Sequence, residues 1–244
     1  MVAGVCSSQI YADKRGLQYG YADVKRKSEA VFFQQKSIVS DAAEQIELHR
    51  QELELQARRE KHILVNKDNP LPEDYEVKLI RLPEGGHRAA EEAYEPLCDM
   101  LEDAKAEGFR LKVCSSYRNA NYQKRLFDDD IARYMRQGYS YEEAYEKTAE
   151  LTMPPGYSEH STGLAFDIVS AGYQGLTLRQ EKTKENQWLR EHCSEYGFIL
   201  RYPKGKEEIT QINYESWHFR YVGVEAAAYI MEKGITLEEY LEKY

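Results

Sequence analysis

Two apolar segments of this chain each contain an ionisable side chain that a folded core does not bury by itself. Asp167 lies within the apolar run Leu164–Val169, and His218 lies within the aromatic run Trp217–Val222. Burying an ionised carboxylate is costly unless the carboxylate is paired or binds a cation. Any fold of this sequence must therefore supply a partner for Asp167, and this requirement constrains the fold more than the composition does.

His160 is a candidate partner for that carboxylate. It precedes Asp167 by seven residues, and Gly163 lies between them. Because glycine adopts conformations that other residues avoid, the loop can turn back and bring the imidazole to the carboxylate. This stretch alone is equally compatible with a buried His–Asp hydrogen bond and with a metal site. His218, taken alone, fits a hydrogen-bonded core histidine.

The three side chains together indicate a metal centre. His160, Asp167 and His218 form a His₂Asp set, which suits zinc with one open coordination position. Zinc acidifies a bound water, and Glu215 is the nearby carboxylate that can take the proton. An ideal strand puts positions i and i+3 on opposite faces, so Glu215 and His218 meet only if the chain bends or bulges near Ser216. The residues predict metal-assisted amide hydrolysis.

A third stretch, Cys114–Gln123, follows a predicted strand and opens a predicted helix. Within it, Arg118 can hold a carboxylate through two parallel hydrogen bonds. Gln123 lies just over one helical turn further on and can supply an amide contact. Taken alone, an arginine at such a position is more often a solvated helix residue.

Helices and strands interleave irregularly along the chain, without a regular βαβ repeat. This order predicts an α+β fold with a small, mostly antiparallel sheet flanked by helices. The predicted helices are Arg88–Glu107, Asn119–Gln137, Ser140–Leu151 with Glu143 completing a capping box, and Asn186–Tyr196, followed by two short helices at the end. The predicted strands are Arg110–Ser115, Leu164–Val169, Phe198–Tyr202 and Trp217–Val222.

The N-terminal quarter reads as a separate extension. The segment Ala22–Lys61 contains neither proline nor glycine and is dense in good helix formers, whereas Val65–Tyr75 has two prolines and suits a boundary. We therefore expect a largely helical extension over residues 1–61 and a catalytic domain over residues 62–244. The helix is compatible with packing on the domain, with oligomerisation and with tethering.

Composition and charge argue against several classes of function. The formal net charge of -9 argues against binding to nucleic acid. No run of about 18 apolar residues is present, so no membrane span is expected, and the N-terminus lacks a readable secretory signal. The four cysteines form no CxxC pair, which argues against a thiolate metal site.

Two motifs carry a resemblance to a known family. SEHSTGLAFD fits the pattern SxHxxGxAxD, and ESWH follows it in the expected order. Both are signatures of the LAS metallopeptidases, and the chain resembles the VanY-type D-alanyl-D-alanine carboxypeptidases and related L,D-carboxypeptidases of peptidoglycan. The SSYR…Q stretch and the lead-in HILVNKDNPLPEDY are also similar, so the resemblance covers about His62 to Val224.

The resemblance implies a role for each motif residue. It implies His160, Asp167 and His218 as zinc ligands, Glu215 as catalytic base, Arg118, Gln123 and Ser158 as substrate-binding residues, and the neighbouring Tyr117 and Arg220 as further substrate contacts. The implied partners are peptidoglycan stem peptides, and the implied location is extracytoplasmic.

The expected activity is removal of a C-terminal D-alanine from a stem peptide, with D,D-cleavage favoured. An L,D-carboxypeptidase acting on tetrapeptide stems needs the same metal set and carboxylate grip, and it stays open. From other classes, a non-catalytic binding module for cell-wall peptides does not need Glu215. A structural protein that assembles through its N-terminal helix does not account for the buried Asp167 and His218.

Overall fold

The computed structural model describes residues 26, 27, 29, 32, 36, 39–58 and 61–243. The chain divides into two compact units, Met1–Ala57 and Arg58–Tyr244. The described part of the predicted helix Ala22–Lys61 is helical and includes helix α1 over residues 39–58, whereas the rest of that segment lies outside the described residues. Among the described residues, no helix combines the length and apolar character that crossing a membrane requires.

The second unit contains six strands and seven further helices among its described residues. Its strands are β1 (Leu79–Arg81), β2 (Arg88–Ala90), β3 (Leu111–Ser115), β4 (Ala165–Ser170), β5 (Phe198–Tyr202) and β6 (Glu215–Tyr221). Its helices are α2 (Glu91–Ala106), α3 (Ala120–Arg136), α4 (Tyr141–Ala149), α5 (Lys184–His192), α6 (Glu207–Thr210), α7 (Val224–Lys233) and α8 (Leu237–Lys243), with 3₁₀ turns at Glu159–Thr162, Leu178–Lys182 and Cys193–Tyr196.

The larger sheet has four antiparallel strands in the order β3-β4-β6-β5, and β1 pairs with β2 in a separate hairpin. Strands β4 and β6 are therefore central, and both are buried along almost their whole length. Their register places Asp167 directly opposite His218. This is the α+β architecture that the sequence predicts.

The main core lies between the sheet and helix α2. Ala93, Leu97, Met100 and Ala104 recur at three- and four-residue spacing and form the buried face of this helix. They pack in one cluster with residues of the sheet and of α5, including Phe166, Ile168, Trp188, Leu189, Phe198 and Phe219. A second cluster joins helices α7 and α8 to the outer side of β5. The sheet that carries Asp167 and His218 is thus supported by helices.

Most predicted elements are present, and several of their boundaries differ by a few residues: the predicted helix Asn186–Tyr196 is α5 followed by a 3₁₀ turn, and the predicted strand Trp217–Val222 begins at Glu215. The capping box of Ser140 and Glu143 is confirmed, and strand Phe198–Tyr202 has the predicted bounds. The predicted helix Arg88–Glu107 begins only at Glu91, because the three residues before it pair with β1 as strand β2. The turn of that hairpin uses Gly85 and Gly86, both at positive φ, and the two adjacent glycines are the turn signal for it in the sequence.

Candidate metal centre

His160 is carried to the sheet by the 3₁₀ turn that precedes β4. Gly163 ends this turn in the left-handed conformation, with φ 77°, and a Cβ built there would lie 3.0 Å from the backbone nitrogen of Ala90. A residue with a side chain would therefore be strained and crowded. Nδ1 of His160 donates to the carbonyl oxygen of Ser116 at 2.9 Å. This bond fixes the ring and leaves the Nε2 lone pair free to face Asp167.

The three predicted metal ligands lie together. Nε2 of His160 is 3.4 Å from Oδ2 of Asp167, and Nδ1 of His218 is 3.4 Å from Oδ1 of the same carboxylate. One ligand atom from each of the three residues lies within 4.8 Å of the others, and all three side chains are buried. Oδ1 of Asp167 is buried without a hydrogen-bond partner among the described groups. This donor set fits a tetrahedral zinc ion with one open position.

Glu215 reaches the same cluster because strand β6 is irregular. Leu200 of β5 pairs with Phe219 and Tyr202 pairs with Glu215, so four steps along β6 oppose two steps along β5. Such a bulge changes which face a side chain takes. Oε2 of Glu215 lies 3.6 Å from Nδ1 of His218. A regular strand would place Glu215 and His218, three positions apart, on opposite faces. The bulge explains how both side chains reach the same cluster.

A buried asparagine holds the irregular part of β6. Asn186 of helix α5 is fully buried, and its Nδ2 donates to the carbonyl oxygen of Ser216. Ser216 directly follows Glu215, so this bond fixes the backbone next to the candidate base. Nothing in the local sequence around Ser216 indicates this partner, which lies 30 residues earlier in the chain.

The electrostatics of the cluster favour a positive charge between the ligands. Burial lowers the pKa of His160 to about 4, with help from Arg118, and keeps that ring neutral. Burial also opposes charge on His218, but Asp167 and Glu159 outweigh it and raise the pKa of His218 to about 9. Burial raises the pKa of Glu215 to about 8. A metal cation bound among these groups would neutralise the negative charge of the carboxylates.

The cluster opens into a cavity of about 270 Å³. Arg118 and Ser158 line it together with Glu215 and the three candidate ligands, and its other walls are formed by Asp130, Arg133, Leu151, Thr152, Met153, Glu159, Leu176, Tyr202, Ile212 and Trp217. Nη2 of Arg118 donates to Oδ2 of Asp167 at 2.9 Å, and its Nε donates to Oγ of Ser115 at 2.9 Å. A guanidinium thus stands at the cavity wall beside the metal-ligand cluster.

The remaining predicted substrate residues do not line the cavity. Gln123 is fully buried, where its Nε2 donates to the carbonyl oxygen of Met153 and its Oε1 lies 3.5 Å from Nη1 of Arg118. It therefore supports Arg118. Tyr117 lies outside the cavity and takes the guanidinium of Arg88 over its ring.

Arg220 also differs from the expectation of a substrate contact. It is only 1% exposed, and its guanidinium donates to Glu159, to the carbonyl oxygen of Ile63 and to that of Tyr221. All of these partners are protein groups, and the side chain lies away from the cavity lining. Positions 218 and 220 share a face of β6, and on that face the guanidinium of Arg220 meets the buried carboxylate of Glu159 instead of the cavity.

Sequence reasoning missed Glu159, which lies between His218 and two arginines. Its Oε2 is 3.4 Å from Nε2 of His218, and its Oε1 accepts from Arg201 and Arg220. A signal was present, because both arginines interrupt apolar strands and each needs an anion. The local sequence did not reveal which anion serves them.

The fold and the site together define an α+β protein with a buried His₂Asp centre of the kind that holds one divalent metal ion beside a carboxylate and a cavity. The chain belongs to the VanY family, whose model, described as D-alanyl-D-alanine carboxypeptidase, matches residues 86–224.

Relatives and solved structures agree with this assignment. The chain is 39% identical over 179 residues to a D-alanyl-D-alanine carboxypeptidase of Enterococcus faecalis, an alignment that covers 73% of this chain and 65% of the relative. The chain thus aligns with just under two thirds of that relative's length.

Three solved structures are similar in fold. A variant of the vancomycin-resistance D,D-pentapeptidase VanY in complex with Zn(II) has 39% identity and a TM-score of 0.67, covering 74% of this chain and 98% of that one. VanYB in complex with D-alanine-D-alanine has 39% identity and a TM-score of 0.68, covering 74% and 97%. The LD-carboxypeptidase LdcB has 38% identity and a TM-score of 0.64, covering 74% and 85%.

Proposed function

We propose that this chain is a zinc-dependent carboxypeptidase that removes a C-terminal D-alanine from peptidoglycan stem peptides, with D,D-cleavage favoured. The observation that carries this proposal is the meeting of His160, Asp167 and His218, whose ligand atoms lie within 4.8 Å of one another, with Glu215 3.6 Å from the His218 ring. The VanY structure in complex with Zn(II) supports the choice of zinc.

The roles of the side chains follow from their positions. Bound zinc would polarise the scissile carbonyl and make a bound water acidic. Glu215, buried at the cavity wall, accepts the water's proton on its carboxylate and returns it to the leaving amine. His160, His218 and Asp167 would hold the ion, each imidazole through an unprotonated ring nitrogen, and the buried setting would strengthen these interactions. Ser158 lines the same cavity and is placed to contact the substrate backbone.

Arg118 is the residue that recognises the C-terminal end of the substrate. Its side chain is 15% exposed at the cavity wall beside Asp167, so a guanidinium edge is within reach of a ligand. A guanidinium binds a carboxylate through two parallel hydrogen bonds. We assign Arg118 to the free C-terminal carboxylate, which makes the enzyme an exopeptidase. The complex of VanYB with D-alanine-D-alanine supports a substrate of this kind.

An L,D-carboxypeptidase is the second candidate. The similarity to LdcB, at 38% identity, favours it as a real alternative. Both activities need the same metal set and the same carboxylate grip. They differ in the residue before the scissile bond, which is D-alanine in a pentapeptide stem and an L-configured centre in a tetrapeptide stem.

One assay tests the activity and separates the two candidates. The protein is incubated with a pentapeptide stem and with a tetrapeptide stem, with zinc and with a chelator, and the products are weighed by mass spectrometry. Loss of one alanine from the pentapeptide alone supports D,D-cleavage, and loss from the tetrapeptide alone supports L,D-cleavage. Absence of cleavage of both peptides with zinc bound would contradict the proposal.

We also propose a division of labour along the chain. The candidate ligands, the base and Arg118 all lie within residues 118–218, which supports a catalytic domain over residues 62–244. Residues 1–61 would then be a separate extension, and packing on the domain, tethering and oligomerisation are the candidate roles for it. We place the reaction outside the cytoplasm, where the stem peptides of the cell wall are exposed.

A further inference from the structure

Glu159 is the carboxylate on the far side of His218 from Asp167. It is 1% exposed and directly precedes His160 in the chain. Its Oε1 accepts from Nε of Arg201 at 2.7 Å and from Nη1 of Arg220 at 2.9 Å. Its Oε2 lies 3.4 Å from Nε2 of His218. One carboxylate thus faces two guanidinium groups with one oxygen and an imidazole with the other.

The two atoms that face each other have no alternative partners. Among the described groups, Oε2 of Glu159 and Nε2 of His218 are both buried and make no hydrogen bond, and the two atoms face each other at an ion-pair distance of 3.4 Å. Buried polar atoms of native proteins are almost always paired, so each of these atoms requires the other. An imidazole nitrogen that faces a carboxylate carries the proton, since the carboxylate can only accept. The opposite nitrogen, Nδ1, lies 3.4 Å from Oδ1 of Asp167, and it would give its lone pair to a cation bound between the two side chains.

We propose that Glu159 is a positioning residue for the metal centre: it holds the His218 ring through Nε2–H and keeps the Nδ1 lone pair aimed at the cation. This inference rests on the metal centre proposed above and extends it by a residue that does not touch the metal. Histidine ligands commonly donate their second ring N–H to such an outer carboxylate, which fixes the tautomer and the ring orientation.

The arginines give Glu159 the charge and the direction that this role needs. Arg201 and Arg220 come from the adjacent strands β5 and β6, so the sheet itself fixes where they stand. Because both guanidinium groups bind Oε1, the other oxygen is left to face the histidine. A buried ion pair of this kind is costly to assemble and is weak evidence for a purely stabilising role.

The same network contains a matched control. Glu238 of helix α8 is also buried and binds Arg201 through both oxygens, at 2.8 and 2.6 Å. Nδ2 of Asn66 donates to it at 3.1 Å. Within the described part of the chain, the side chain of Glu238 bonds to these two residues and not to His218. Neutralising Glu238 therefore disturbs the same arginine without removing the partner of the histidine.

The test compares Glu159→Gln with Glu238→Gln in the full chain. In E159Q, an amide whose oxygen faces the arginines turns its NH₂ toward Nε2 of His218, which drives the ring proton to Nδ1 and blocks the metal-facing lone pair. Zinc affinity of the apoprotein is measured by competition with a chromophoric chelator, and stability is measured by denaturant unfolding. We expect zinc affinity to fall by about 10- to 100-fold in E159Q. In E238Q, affinity should stay within about threefold, whereas both variants lose stability.

Two results would overturn the proposal: wild-type zinc affinity in E159Q, or an equal loss of affinity in E238Q. If E159Q does not fold, Glu159→Asp keeps the charge against the arginines and withdraws the oxygen from His218. Zinc affinity must then also fall, and wild-type affinity in E159D would refute the role. Because zinc binding is measured without substrate, a protein that binds zinc but cleaves no stem peptide defeats the proposed function and leaves the role of Glu159 standing.

Discussion

Besides the candidate ligand Asp167, two glutamates lie at nearly equal distance from the ring of His218, and their surroundings differ. On the arginine side, formed by Glu159, Arg201 and Arg220, the carboxylate lies 3.4 Å from the ring. On the cavity side, Glu215 lies 3.6 Å from it. Burial opposes ionisation of both. The two guanidinium groups nevertheless hold the pKa of Glu159 well below its usual range, whereas burial raises the pKa of Glu215 to about 8.

The difference shows that neighbouring guanidinium groups, rather than the degree of burial, decide which of the two carboxylates stays ionised. Glu159 remains an anion and can hold an imidazole permanently. Glu215 lies beside the cavity, where no guanidinium among the described residues binds it directly, and its proton can be gained and lost near neutral pH. Environments that push the pKa values of two neighbouring acids apart are a recurring sign of divided roles in an active site. These environments agree with the two proposed roles, in which the arginine side orients the imidazole and the cavity side transfers protons.

The largest effect is expected on the cavity side. Glu215→Gln removes the proton acceptor and leaves the three candidate ligands in place. Turnover of the stem peptide should fall by about 10²- to 10⁴-fold or more, because general-base catalysis contributes that much. Zinc content should remain at one ion per chain, measured by atomic emission. Retained turnover would remove Glu215 from the mechanism and favour the binding-module alternative.

The second largest effect is expected when a guanidinium is removed from the arginine side. Arg201→Met removes one guanidinium and leaves Glu159 and Glu238 buried with fewer cations. We expect the free energy of unfolding to fall by about 3–5 kcal/mol, as when one partner of a buried ion pair is deleted. Denaturant unfolding measures it.

The control for this change is Lys206→Met. Lys206 pairs with Glu239 at a partly exposed site, so the expected loss of unfolding free energy is at most about 1 kcal/mol. Equal losses in the two variants would show that the arginine side is no more than an ordinary ion pair.

A smaller effect tests how the cavity side is held. Asn186→Ala removes the donor to the Ser216 carbonyl oxygen and frees the irregular backbone beside Glu215. We expect kcat to fall by about tenfold, because the backbone that positions Glu215 loses its hydrogen bond and a small displacement of a reacting group is costly in rate. KM and zinc affinity should stay close to wild type. Steady-state kinetics with the preferred stem peptide measures the separation.

Thr183→Ala is the matched change on the same helix. Thr183 caps α5 by accepting from the backbone of Asn186, so its loss weakens the helix by about 1 kcal/mol without touching β6. Wild-type kcat in T183A and reduced kcat in N186A would assign the effect to the Ser216 contact. The same reduction in both would trace it to the helix.

Local chemistry explains why much of the fold was predictable. Ser140 and Glu143 satisfy each other's backbone groups within four residues, and Gly197 closes the turn before β5 at φ 81°. Signals of this kind depend only on residues that are close together in the sequence. The hairpin β1–β2 was missed because its strands have three residues each, too short for a periodic pattern.

The candidate metal ligands could be predicted from the sequence, whereas the residues that hold them in position could not. His160, Asp167 and His218 stand out because each is ionisable within an apolar or signature context. The bulge near Ser216 depends on the register of β6 against β5 and on Asn186, both set by long-range pairing. Glu159 gained its importance only when Arg201 and Arg220, 42 and 61 residues away, came to lie beside it.

The way in which the three candidate ligands are held has a consequence for zinc supply. Asp167 and His218 face each other across hydrogen-bonded strands, and the Ser116 carbonyl holds the ring of His160. Since the sheet and this carbonyl set the three positions, we expect a chain stripped by a chelator to stay folded and to take up zinc again on reloading. Metal supply alone would then switch the proposed activity off and on without new protein synthesis.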